Sequence, residues 1–392
     1  MASSLLPDAV AIAQTLVRIP SVSGSPAVFD VVEAVKHILE ESADPSVKVH
    51  VCTAVPDAPV LLAHAGSTDP EAPSFMLSGH IDVVPPAGME APFSGDVKAG
   101  RLLGRGATDM KGGAAAAIAA FAQASKENLP GSLWLILSTD EETNVRGVKA
   151  ALEEAGAPRP DACLIAEPTE LEIHSARRGD AWIRVDFEGR SAHSSRPHLG
   201  VNAVDAACLF AVKARKRLPE MMKEGPAKGP QTCSIDLISG GAAENVVPAH
   251  ASVTIDFRFQ GEETGRLQEE RILRVLEECR QDPDFPDVKA STTITGDWPA
   301  LADQTDAPAC RRAIAALTEE VGRPLKTTPM SGWGEGGYMC AFGIPAFYFG
   351  PGEGRLAHTP QESASVEMIE TAARAIHRAV RAVLCGGEVA QR

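Results

Sequence analysis

Glu141 and Glu142 stand side by side just beyond the apolar run Leu133-Trp134-Leu135-Ile136-Leu137, after Ser138-Thr139-Asp140. Two carboxylates at the mouth of a buried strand repel each other and lose hydration. They are therefore either a solvated pair in a surface loop or a pair compensated by a cation or a shared proton. Two further segments end in the same manner. Phe75-Met76-Leu77-Ser78-Gly79-His80-Ile81-Asp82 closes on a histidine and an aspartate, and Ala162-Cys163-Leu164-Ile165-Ala166-Glu167 closes on a glutamate. In open α/β sheets ligands gather outside the carboxyl ends of the strands, so three strand-like runs with such endings point to one crevice. A crevice lined by imidazole and carboxylate is a candidate metal site.

The elements that must carry these groups alternate along the chain. Residues 8–42 read as an amphipathic helix, a turn at Pro20 to Pro26, and a second helix through Val28, Val31, Val32, Val35, Ile38 and Leu39. Strand-like runs near 47–52, 59–64 and 75–82 lead to an alanine-rich helix from Met110 to Ala124. A strand at 131–138, a helix around 146–156 and a strand at 162–166 follow. Such alternation implies a parallel or mixed sheet covered on both faces. From about residue 178 the order becomes strand 181–188, helix 201–218, strands 231–238 and 250–260, helix 263–280 and strand 288–295. That is the β-α-β-β-α-β order of a split βαβ module. A helix at 305–321, an apolar strand at 344–349 and a helix at 363–384 resume the first pattern. The expected fold is α/β: a mixed-sheet α/β/α catalytic domain of residues 1–178 and 295–392, interrupted by a ferredoxin-like domain at 179–294.

Composition sets the outer limits. A chain of 392 residues that is 44% apolar is large enough for two compact domains. No apolar run approaches the ~20 residues that cross a bilayer, and Met1-Ala2-Ser3-Ser4 lacks the charged start of a secretory signal. Eight scattered cysteines include no CxxC pair and outline no disulfide framework. A soluble, cytoplasmic protein is expected. The formal charge of -15 argues against nucleic acid and anionic membranes as partners, and the short basic run Lys213-Ala214-Arg215-Lys216-Arg217 reads as a solvated helix face. The glycine-rich stretch at 104–113 lacks the GxxxxGK[ST] order of a phosphate loop, because Lys111 is followed by Gly112.

Five motifs, taken together and in order, closely resemble one family over nearly the whole chain. They are Gly79-His80-Ile81-Asp82-Val83-Val84-Pro85, Gly104-Arg105-Gly106-Ala107-Thr108-Asp109-Met110-Lys111-Gly112-Gly113, Thr139-Asp140-Glu141-Glu142, Ala166-Glu167-Pro168-Thr169 and Ala357-His358-Thr359-Pro360. The family is that of the co-catalytic zinc aminoacylases and metallopeptidases, which includes acetylornithine deacetylase, succinyl-diaminopimelate desuccinylase and glutamate carboxypeptidase. The resemblance implies that Asp109 bridges two divalent metal ions, with His80 and Glu167 completing one site and Glu142 and His358 the other. Zinc suits such donors, and cobalt or manganese could replace it. Asp82 would fix the tautomer of His80 from behind. Glu141 would be the general base, and the peptide bond Asp109-Met110 would be cis.

The inserted domain carries Gly189-Arg190-Ser191-Ala192-His193-Ser194-Ser195-Arg196-Pro197. In dimeric relatives the equivalent of His193 reaches the other subunit's active site and polarises the scissile carbonyl, so the resemblance implies a homodimer formed through this lid domain. Asn245 and Arg258 match lid positions that hold the substrate's carboxylate, and Arg178 is a further candidate at the hinge. For each, a surface salt bridge is the alternative.

Two segments depart from the family. Residues 85–100 lack the tryptophan-rich loop of many relatives, and Ser331-Gly332-Trp333-Gly334-Glu335-Gly336-Gly337-Tyr338 carries Trp333 and Gly334 where the deacetylases have glycine and threonine. The expected activity is removal of the acyl group from an N-acyl amino acid. Acetylornithine deacetylase-like activity comes first, on the strength of Ser194-Ser195 and of Glu335, a carboxylate expected near the pocket where it would favour a cationic side chain. A dipeptidase, a glutamate carboxypeptidase-type enzyme and an N-succinyl amino acid desuccinylase are the alternatives. A metal-free binding protein on the same fold is opposed by the presence of all five ligands and the base.

Overall fold

The computed structural model describes residues 6–225, 231–261, 263–330, 332 and 334–386. The opening Met1-Ala2-Ser3-Ser4, together with Ser331 and Trp333, lies outside the described residues, as do the expectations placed on them. The chain divides into two compact units, one drawn from 1–176, 303–330 and 334–392, the other from 177–302 and 331–333.

The first unit is built on an eight-stranded mixed sheet. Its strands lie in the order Lys48–Cys52, Val60–Gly66, Ser132–Ser138, Ser74–His80, Cys163–Ile165, Ala346–Tyr348, Ile173–Arg177 and Thr327–Met330. Ser74–His80 runs parallel to both Ser132–Ser138 and Cys163–Ile165, and so their carboxyl ends open on the same side. Alternate side chains of a strand face opposite sides of the sheet. Leu61, Phe75, Leu77, Leu135, Leu164 and Phe347 accordingly share one core with the helices Ala9–Arg18, Ala27–Ser42, Gly112–Ser125, Pro308–Val321 and Val366–Leu384. Ser78, His80 and Ser138 alternate to the opposite face. There the helix Arg146–Glu153 packs, and the backbone N–H of Gly336, at the start of the helix Gly336–Ala341, donates to the Tyr348 hydroxyl at 2.9 Å.

Gly112–Ser125 is apolar on every side and buried on every side up to Ala124, as a helix without a polar face must be. It begins at Gly112 rather than at Met110, because Asp109 (φ -121°, ψ 95°) and Met110 (φ -126°, ψ 30°) hold non-helical angles. The peptide bond between those two residues is cis. The strand expected at 75–82 ends at His80, which leaves Asp82 in the following loop. Ile173–Arg177, Thr327–Met330 and the small sheet of Val97–Lys98, Arg101–Leu103 and Ser363–Ser365 are not marked by any apolar alternation in the sequence.

The second unit follows the order Gly179–Glu188, Ala203–Lys223, Thr232–Gly240, His250–Phe259, Gly265–Arg280 and Lys289–Trp298. Its four strands lie antiparallel in the order Thr232–Gly240, His250–Phe259, Gly179–Glu188, Lys289–Trp298, which is the ferredoxin-like arrangement. Ile183, Val185, Val253, Ile255 and Phe257 meet Phe210, Leu218, Ile272 and Leu276 in its own core. Asn202 and Thr264 cap its two helices with side-chain oxygens. The unit ends at residue 302 rather than 294. The last strand shifts register between Ile294 and Gly296, Trp298 packs edge-on against Trp182 at 4.8 Å, and Leu301 bridges to Arg177. The strand expected at 288–295 therefore runs on to Trp298, because an extra residue bends the ladder without ending it.

All eight cysteines are free thiols. Among the described residues no helix is long and apolar enough to cross a membrane.

Packing between the alanine-rich helix and the strand ends is very close. A Cβ placed on Gly113 would lie 1.7 Å from the carbonyl oxygen of Ala166, the residue before Glu167. Replacing a mid-helix glycine by alanine ordinarily stabilises by roughly 0.5–1 kcal/mol, whereas forcing a methyl into a filled contact costs about 1–3 kcal/mol. Gly113→Ala should therefore lower the Tm by several degrees in a circular-dichroism melt. A raised Tm would mean that the contact can relax.

Candidate metal centre

Three of the candidate ligands come from the shared end of the parallel strands. His80 is the last residue of Ser74–His80, Glu142 follows Ser132–Ser138 with Glu141 beside it, and Glu167 follows Cys163–Ile165. Asp109 arrives on the turn before the alanine-rich helix. His358, at φ 63°, arrives on the loop between Ala346–Tyr348 and Ser363–Ser365.

Asp109 stands between the two imidazoles. Its Oδ1 is 3.3 Å from His80 Nε2 and its Oδ2 is 3.4 Å from His358 Nε2. Among the described residues two sets of donor atoms converge to within 4.8 Å: His80 with Asp109 and Glu167, and Asp109 with Glu142 and His358. Glu141 belongs to neither set. Its buried carboxylate lies alongside, with Oε2 3.9 Å from His80 Nε2. Burial is uneven, since the His80 side chain is 0% exposed and that of His358 is 51% exposed.

Asp82 organises the site from beneath. His80 Nδ1 lies 3.2 Å from the Asp82 carbonyl oxygen and 3.3 Å from its Oδ1, which turns Nε2 toward Asp109. The same carboxylate accepts the Ser23 hydroxyl at 2.5 Å and the backbone N–H groups of Glu142 at 3.2 Å and Glu141 at 3.4 Å. It therefore fixes the turn that carries the glutamate pair. In the sequence Ser23 stands out only as part of a turn. Lys111 is likewise a structural contributor: its buried Nζ donates to the carbonyl oxygens of Leu16 at 2.9 Å and Ile19 at 2.8 Å, and burial lowers it to about 7.

The electrostatics of the cluster call for positive charge. Burial disfavours a charged His80, yet hydrogen bonds to Asp109 and Asp82 and the charge of Glu141 push its imidazole well above the usual range. Asp109 and Glu142 raise His358 to about 10. Burial would raise Asp109, but its bonds to both histidines hold it below the ordinary carboxylate range. Glu142 goes the other way, raised by burial despite its bond to His358. Without a metal, protons on the imidazoles carry the positive charge that the carboxylates require. Divalent cations meet the same demand, and a set of imidazole and carboxylate donors around a shared aspartate fits zinc, cobalt or manganese.

Glu335 is buried rather than placed beside a pocket. Only 2% exposed, it does not present itself to a substrate but lies inside the protein, under the strands that end at His80 and Ser138. The Ser138 hydroxyl donates to its Oε1, Ser78 Oγ lies 3.5 Å from its Oε2, and burial raises its carboxyl to about 8. The sequence could not show this, because Glu335 precedes a helix that packs on the inner face of the sheet.

The remaining candidates belong to the inserted unit. His193 is exposed on the two-residue strand Ala192–His193, which pairs with Val246–Val247, and the backbone N–H of Ser194 donates to the carbonyl oxygen of Asn245 at 3.0 Å. His193 and exposed Asn245 thus share one ribbon. His193 Nδ1 accepts the backbone N–H of Ser195 at 3.2 Å. Arg258 is held by Asp256 at 2.8–2.9 Å and by buried Asp180 at 2.9 Å, which is the salt-bridge alternative for this residue. Burial raises Asp180 to about 7. Arg178 is half-buried between Ile173–Arg177 and Gly179–Glu188.

Comparison with known proteins adds an independent line. The profile of peptidase family M20/M25/M40 matches residues 76–382. An acetylornithine deacetylase of Myxococcus xanthus is 31% identical over 335 residues, covering 83% of this chain and 84% of the relative. A succinyl-diaminopimelate desuccinylase of Rhodospirillum centenum is 34% identical over 296 residues, covering 70% and 73%. Among solved structures, aminopeptidase PepT of Bacillus cereus superposes with a TM-score of 0.73 at 19% identity, covering 97% of this chain and 100% of the other. A dinuclear metal-binding peptidase of the M20 family from Bacillus subtilis gives 0.70 at 17% identity, covering 96% and 97%.

The internal carboxyl of Glu335 has a measurable consequence. With a folded value near 8 against 4.5 for the free side chain, the folded state keeps a proton that the unfolded state has lost between those limits. Stability contributed by this group therefore falls as pH rises through that window. Glu335→Gln should flatten the slope in denaturant titrations of the metal-free protein from pH 5 to 8, gaining on the order of a few kcal/mol relative to wild type at the upper end. An unaltered slope would place the proton elsewhere.

Proposed function

The chain belongs to peptidase family M20/M25/M40, and from that premise we propose a dinuclear metal-dependent amidohydrolase that cleaves the amide of an N-acyl amino acid, with acetylornithine deacetylase-like activity foremost. The observation that carries the reading is Asp109, which offers one carboxylate oxygen to each of two donor sets while Glu141 lies beside them in neither. Two divalent ions, zinc in this proposal with cobalt or manganese as substitutes, would polarise the amide carbonyl and acidify an attacking water.

The chain's own groups supply the rest. Glu141 takes the proton of the attacking water and hands it to the amine nitrogen as the C–N bond breaks, and the product acid gives its remaining proton to the amine, which yields a carboxylate and an ammonium group. Asp82 keeps Nε2 of His80 directed at the centre. In His193 the Ser195 backbone N–H occupies Nδ1, so Nε2 carries the ring proton and can donate to a developing oxyanion. Asn245 and Arg178 are the proposed contacts for the substrate's carboxylate. Arg258 would first have to release Asp256 and Asp180.

Two copies are proposed to pair through the inserted unit. Among the described residues the edge strand Thr232–Gly240 has a neighbour on one side only, and it exposes Leu237 at 66% and Ile238 at 56%. Such an edge invites pairing with a second identical strand across a two-fold axis. Eight free thiols suit the cytoplasm. A desuccinylase is the second reading, favoured by the 34% identity to the Rhodospirillum centenum relative.

Hydrolysis of N-acetyl, N-succinyl, N-formyl and dipeptide substrates with added zinc, cobalt or manganese separates these readings. N-acetylornithine should give the highest kcat/KM, and faster turnover of N-succinyl-diaminopimelate would transfer the assignment to the second reading. Glu141→Ala should retain both ions by elemental analysis and lose roughly 10²–10⁴-fold in kcat, whereas Glu142→Ala should lose metal. Equal metal loss in both variants would overturn the division of roles. His193→Ala should lower kcat about 10²–10³-fold at unchanged metal content. Mixed dimers of His193→Ala with Glu141→Ala should regain activity, and a complete lack of rescue would mean that each subunit completes its own site.

A further inference from the structure

Glu362 is buried and sits four residues beyond His358. One of its oxygens, Oε1, accepts three backbone N–H groups from the turn that presents Asp109: Gly106 at 2.9 Å, Thr108 at 3.2 Å and Asp109 itself at 3.1 Å. Its other oxygen accepts the guanidinium of buried Arg105. A second set of bonds joins the same two segments. Arg101 grips Glu353 through two bonds of 2.9 and 3.0 Å and donates to the carbonyl oxygen of Ser363 at 2.8 Å. Thr108 Oγ1 donates to that Ser363 carbonyl at 2.8 Å as well. The loop carrying His358 is thereby fastened at both ends to the segment carrying Asp109.

We propose that Glu362 is a positioning residue of the metal centre, one carboxylate that locks the Asp109 turn to the His358 loop so that both ligands are presented as a preassembled edge. The proposal rests on the reading of Asp109 and His358 as metal ligands. Three N–H groups converging on one oxygen fix a backbone turn far more tightly than a single bond, and without an acceptor the buried donors would be left unsatisfied. Loss of such support behind a ligand costs about 10–100-fold in metal affinity. The competing account is that Glu362 serves only to neutralise Arg105.

Calorimetric titration of the metal-free protein with zinc, alongside thermal melts of the same samples, separates the two accounts. Arg105→Met/Glu362→Gln removes both charges and keeps an amide oxygen for the three N–H groups, so zinc affinity should stay close to wild type. Arg105→Met/Glu362→Leu removes the acceptor as well, and the ion held between Asp109 and His358 should bind about 10–100-fold more weakly. Equal affinity in the two double variants would overturn the proposal. If the leucine variant does not fold, Glu362→Gln alone decides. Its melting temperature should fall, because Arg105 loses its counter-charge, while zinc affinity holds; affinity that falls in step with the melting temperature would overturn the proposal. Wild-type protein that takes up fewer than two zinc ions would overturn the underlying metal reading instead.

Discussion

The rest of the structure answers to the crowding of carboxylates around two imidazoles. Asp82, Asp109, Glu141, Glu142 and Glu167 converge where three parallel strands end, and like charges cannot share a buried crevice without compensation. The fold holds them there with rigid parts. A sheet packed on five helices fixes His80, Glu141, Glu142 and Glu167, and the alanine-rich helix closes against Ala166 at a distance that only glycine permits. Hydrogen bonds then orient each group, through Asp82 beneath His80 and through Glu362 behind Asp109. The strain of bringing the charges together is offset only when positive charge enters, and so structure and cofactor demand are two sides of the same arrangement.

Much of this was legible in the sequence because the informative residues sit at ends of strongly apolar runs. Leu133 to Leu137 and Phe75 to Leu77 can only be buried strands, and the polar residues just beyond each run must lie at its mouth. The inserted unit was equally plain, since its strands alternate cleanly and its two helices, expected from about 201 and 263, begin at Ala203 and Gly265. Short strands such as Ile173–Arg177 and Thr327–Met330 carry too few residues for a pattern, and the register shift between Ile294 and Gly296 interrupts the alternation near the end of the last strand.

The second layer of polar groups escaped the sequence. Glu335 was expected beside a substrate, yet it lies under the strands against Ser78 and Ser138, because a single residue ahead of a short helix gives no sign of which way it faces. Glu362, Arg105 and Lys111 are charged, and charged residues are ordinarily exposed. Their burial follows from backbone groups far away in sequence that need partners. Arg258 illustrates the opposite case, a residue type suited to substrate carboxylates that spends its donors on Asp256 and Asp180.

The unequal exposure of the two imidazoles divides the centre kinetically. An ion held by His80 and Glu167 is walled in by protein, whereas one held by Glu142 and His358 borders on solvent through a half-exposed ring. On the proposed reading, an ion at the second position would exchange with the medium more readily than one at the first. A chelator would then draw a sample through a population carrying one ion, and its specific activity would report the history of the preparation as much as the quality of the enzyme.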